Sequence, residues 1–111
     1  MTIITGLVPH AQDGRSFRLE CIDLPDDVRY ISVWLRHRIT MIRIGPVLVD
    51  HRADNDTVRA VRTGPGSIDV TCREELMLGA WDVWLDIVDS DDNIEHSTCI
   101  RHTIAARQVV R

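Results

Sequence analysis

With 111 residues, 44% apolar and 27% charged, the chain is sized for one domain with its own core, and its composition excludes a disordered polymer. The net charge of −4 comes from 17 acidic residues against 13 arginines and no lysine, with no basic run along the sequence, so neither nucleic acid nor an anionic membrane is an expected partner. No stretch approaches the roughly 18 consecutive apolar residues of a membrane span, and residues 1–8 lack the basic start of a signal peptide.

Taken in order, residues 2–8 are a short β-prone run closed by Pro9. Asp13-Gly14 signals a turn, after which 16–22 alternate, with Phe17, Leu19 and Cys21 on one side. Leu24-Pro25-Asp26-Asp27 breaks that run. Residues 28–36 form the next expected strand, Ile31, Val33 and Leu35 on one face and Tyr30, Ser32, Trp34 and Arg36 on the other. Residues 38–44 alternate less cleanly, Gly45-Pro46 interrupts, and 47–49 is a brief apolar run. Residues 50–56 read as a polar loop and 57–62 as an edge strand guarded by Arg59 and Arg62. Gly64-Pro65-Gly66 is a tight turn, 67–72 turn Ile68, Val70 and Cys72 inward, and 74–78 make a corner or a turn of helix.

Residues 79–88 give the clearest strand. Trp81, Val83, Leu85 and Ile87 form a wholly apolar face, with Asp82, Trp84 and Asp86 opposite. Residues 89–93 are a polar hairpin loop, and 94–104 a final strand. Seven to eight short strands at spacings of about ten residues predict an all-β fold, an antiparallel β-sandwich of immunoglobulin-like or fibronectin-like type. It occupies 1–111 as a single domain, with 1–14 and 105–111 at the periphery.

Three pieces carry a family resemblance: Ser32-Val33-Trp34-Leu35-Arg36-His37-Arg38, the short strand ending at Cys72, and Leu78-Gly79-Ala80-Trp81-Asp82-Val83-Trp84-Leu85 after a leucine-containing corner. In this order they resemble the small immunoglobulin-like accessory domains of actinobacterial glycosyltransferases of the teichoic-acid and cell-wall-glycan type. The resemblance covers about residues 15–102. It implies the sandwich fold and a non-catalytic role as spacer, oligomerisation or polymer-contacting module.

The candidate site follows from register. If 28–36 and 79–88 are neighbours in one sheet, Trp34 and Trp84 share its outer face with Arg36, Asp82 and Asp86. Tryptophan and arginine anchor protein interfaces, so the expected partner is a protein or a second copy. Indole faces flanked by charged groups also suit a sugar ring, so a polysaccharide is the alternative, and a structural component of a larger particle is a third reading.

Catalysis is not expected. The sequence carries no GxSxG, P-loop, dinucleotide fingerprint or HExxH. Asp82 and Asp86, four residues apart on one strand, stand about 13 Å apart, too far for a paired-acid mechanism. Asp89, Asp91 and Asn93 place oxygens at alternate positions, as a calcium loop does. The sixth position of that loop is not glycine and the twelfth is Ile100, which leaves a weak metal candidate beside an ordinary turn. No cofactor is expected. Cys21, Cys72 and Cys99 are odd in number and lack CxxC spacing, so they are read as reduced thiols of a cytoplasmic protein, each a small apolar filler.

Overall fold

A computed structural model describes residues 1–11, 13–51, 58–72 and 76–106. Among the described residues nine strands form in chain order: β1 (Ile3–Pro9), β2 (Ser16–Ile22), β3 (Tyr30–His37), β4 (Arg43–Leu48), β5 (Val58–Gly64), β6 (Ser67–Cys72), β7 (Gly79–Val88), β8 (Ile94–His96) and β9 (Ile100–Ile104). Among the described residues no helix occurs. One sheet has the order β1-β2-β6-β5, the other β4-β3-β7-β8 with β9 also paired to β7, and every strand pairing is antiparallel. Four strands facing a sheet built on the β3–β7 pair is the immunoglobulin-like arrangement of a β-sandwich.

The alternating pattern places the core. Phe17, Leu19, Ile68 and Val70 face inward from the first sheet, and Val33, Leu35, Trp81, Val83 and Leu85 from the second; each is at most 1% exposed. Trp81 donates from Nε1 to Met77 O at 2.9 Å, so its one polar atom is satisfied inside the core. His37 meets the Trp81 ring edge-on at 5.1 Å. The backbone N–H of Thr40 donates to His37 Nδ1, and Nε2 lies 2.9 Å from Leu78 O, so both ring nitrogens of the buried imidazole have partners.

Two seams join the sheets. On one side Val49 bridges Ala60 in parallel, and Asp50 N donates to Ala60 O. On the other, residues 97–99 tie β7 to β1: Leu85 N donates to Ser97 Oγ, Ile4 N to Thr98 Oγ1, and Thr98 N to Thr2 O. The N-terminal stretch contributes the edge strand β1, with Thr2 and Ile4 buried.

Several expectations change. The expected final strand, 94–104, is two strands, because hydroxyl groups of Ser97 and Thr98 replace backbone ladder bonds. Gly45-Pro46, expected to interrupt, lies within β4 at a bulge opposite Trp34. β4 is an edge strand, where the missing proline N–H costs no ladder bond. Arg62 does not guard an edge. It is half-buried and donates to Leu24 O, Pro25 O and Pro65 O and to Asp26, locking two loops together. Cys72 is buried filler, whereas Cys99 is exposed. The loop expected at 50–56, the corner at 74–78 and the tail at 105–111 lie wholly or partly outside the described residues.

Candidate functional site

The outer face of the five-stranded sheet is organised in rows, because residues directly paired across strands point the same way. The central row is Trp34 beside Trp84. Their rings lie parallel, 4° apart in plane with centroids 6.1 Å apart, and both side chains are half-buried. The expected pairing of the two tryptophans on one face is thus present, as a stack. Gly45 presses on the Trp34 ring: a Cβ there would come within 2.7 Å of Trp34 Cε3, and its φ of +144° lies in the range that side chains avoid.

On one side of the stack runs Arg43–Arg36–Asp82–Arg101, one residue from each of β4, β3, β7 and β9. Asp82 is only 7% exposed, although an outward position on a sheet ordinarily meets water. Two guanidinium groups cover it: Arg36 Nη2 donates to Oδ2 at 3.1 Å and Arg38 Nη1 to Oδ1 at 2.9 Å. Burial opposes its ionisation, but the hydrogen bonds from Arg36 and Arg38 outweigh it and hold the carboxyl below the ordinary carboxylate value. Arg36 also lies over the Trp84 ring, its Cζ 5.7 Å from the centroid, in a cation–π contact.

On the other side come Leu48–Ser32–Asp86–His96 and then Tyr30–Val88–Ile94. Asp86, expected to flank the tryptophans with Arg36 and Asp82, lies on the same face one row from Trp84, and its Oδ1 accepts from His96 Nδ1 at 2.5 Å. Ser32 is two strands from His96 with Asp86 between them, about 10 Å away, so the three side chains cannot act as a nucleophile–base–carboxylate relay. Burial pushes the Cys21 and Cys72 thiols up to about 11, and partial desolvation together with the Asp82 charge raises the more exposed Cys99, so none is an activated thiolate.

The weak calcium candidate serves its own turn. Asp89 Oδ1 accepts from the backbone N–H groups of Asp91 and Asn93, both at 2.9 Å, and these bonds keep its carboxyl below the ordinary value. Among the described residues no group of three or more His, Cys, Asp or Glu side chains is placed to hold a metal ion. Nor is any described helix long and apolar enough to cross a membrane.

Sequence reasoning missed Arg38, Arg43 and Arg101. Although the sequence has no basic run, strand register brings these three to the same end of the face as Arg36, where Arg36 and Arg38 bind Asp82. Alternation along β3 points to Arg38 beside Arg36; the other two become neighbours only once β4 and β9 are placed. Comparison of the chain with protein-family models, with curated proteins and with solved structures returned no match.

Proposed function

We propose that this chain is a non-catalytic interaction module that assembles with a protein partner, in the first instance a second copy of itself, through the outer face of the five-stranded sheet. The Trp34–Trp84 stack carries the reading. It sets two large, rigid, half-exposed aromatic side chains at the centre of a sheet face, with Leu48, Tyr30 and Ile94 on one side and arginines on the other. An apolar centre bordered by arginine is the composition of an interface anchor. The resemblance to glycosyltransferase accessory domains points to the same kind of role.

The stack weighs against the glycan alternative. Stacked rings spend an indole face on each other, and Trp34 is pressed by Gly45 as well, whereas a sugar ring needs an open face. The particle-component reading remains a special case of assembly.

Light scattering tests the proposal. The wild type is expected above monomer mass, and Trp84→Ala is expected to lower that mass. Ile94→Ser, at a 60% exposed position on the same face, gives the same answer without touching the stack. A monomeric wild type, or masses unchanged by both substitutions, contradicts self-assembly through this face.

A further inference from the structure

The two ends of the outer face differ in charge. At one end the row Arg43–Arg36–Asp82–Arg101, with Arg38 beside it, gathers four arginines, two of them paired with Asp82. Arg36 and Arg38 occupy both oxygens of Asp82, and no ion pair is recorded for Arg43 or Arg101 among the described residues. Arg43 and Arg36 are direct cross-strand partners, a like-charge pairing that destabilises a sheet unless an anion answers it. An open cleft of about 390 Å³ lies here, lined by Arg36, Arg38, Asp82, Cys99, Ile100 and Arg101.

About 20 Å away along β3, the opposite end is acidic. The loops there hold Asp23, Asp26 and Asp27 before β3, Asp50 after β4, and Asp91 and Asp92 after β7. Arg62 pairs with Asp26 and Arg29 with Asp92, while Asp27 and Asp91 are exposed and no ion pair is recorded for their carboxylates among the described residues. Both ends also expose apolar side chains: Ile39, Met41 and Ile42 beside the arginines, Ile22, Tyr30 and Ile94 beside the aspartates.

We propose that the arginine row receives the acidic loop end of a second copy, so that the molecule associates head to tail. This rests on the interaction reading above and adds its geometry and polarity. The complement to the row is present on every copy, since a chain of net charge −4 that gathers arginines at one place is correspondingly more acidic elsewhere. Two different surfaces meeting make a heterologous contact, which propagates into a ring or a linear array instead of stopping at a twofold dimer.

Sedimentation velocity on the full chain at low and high salt, with paired charge reversals, tests this. The wild type is expected to associate at low salt and dissociate as salt rises. Arg43→Glu with Arg101→Glu, and separately Asp27→Arg with Asp91→Arg, are each expected to weaken association at least about 100-fold, as like charges then meet across the contact. Mixing the two double variants is expected to restore it, because each altered end meets its altered complement. Circular dichroism of each variant confirms folding, and the rescue on mixing excludes misfolding as the cause of the loss. Association that ignores both salt and the reversals overturns the head-to-tail arrangement while leaving the interaction reading intact. A wild type that stays monomeric at low salt overturns both, and if it then binds polyphosphate through Arg43 and Arg101 the row belongs to an external polyanion.

Discussion

Trp81 and Trp34 show how position decides what a tryptophan does. Trp81 is 1% exposed with its N–H satisfied by Met77 O, and truncation to Ala is expected to cost about 3–5 kcal/mol in denaturant or thermal unfolding. Trp34 Nε1 is closed off from solvent with no hydrogen-bond partner, a burden of about 1–3 kcal/mol. Trp34→Phe removes that donor and keeps an aromatic ring against Trp84, so its stability is expected to stay within about 1 kcal/mol of wild type. Trp81→Phe orphans Met77 O and opens a cavity, and is expected to lose clearly more. A Trp34→Phe variant as unstable as Trp81→Phe contradicts this account. Asp82 sets a pH dependence. Its folded value lies below its ordinary one near 3.8, so its contribution is complete above that value and is lost as pH falls through the folded value. Asp82→Asn is expected to lose about 1–3 kcal/mol at neutral pH and to flatten the acid limb of the stability profile. An unchanged acid limb contradicts that role.

At the scale of elements, the strands with clean alternation were legible and the irregular ones were not. Residues 16–22, 67–72 and 79–88 match β2, β6 and β7 in full, because a two-residue period that buries Leu, Val and Trp on one side leaves one register with a dry core. The break at residues 97–99 was not legible. Ser, Thr and Cys are all compatible with a strand, and the hydroxyl bonds that end the ladder reach Ile4 and Leu85, far away in sequence. β4 was obscured for a related reason: Gly45-Pro46 reads as a breaker unless the bulge opposite Trp34 is known. Gly45 makes the element testable. Gly45→Ala forces a Cβ into the Trp34 ring, so it is expected to destabilise by about 1–3 kcal/mol. It should also weaken the exciton signal of the paired indoles in circular dichroism. An unaltered signal contradicts the packing of β4 on the stack.

On the scale of the whole molecule, the sandwich and the shared face of Trp34 and Trp84 were legible, since both follow from alternation plus one neighbour relation between β3 and β7. The arginine row and the acidic end were not, because net charge sums over the chain and says nothing of where folding gathers it. Asp86 shows the same limit: alternation places it on the correct face, while its partner His96 is set by the β7–β8 hairpin. Assembly through this sheet requires one face to be covered in the assembled state. Iodide quenching of tryptophan emission across a concentration series measures that directly. Trp81 is sealed in the core at every concentration, so only Trp34 and Trp84 respond to the quencher. The quenchable fraction is predicted to fall as protein concentration rises and to rise again on dilution. A quenchable fraction that stays constant while the protein associates would mean that the contact lies elsewhere, and would contradict the claim.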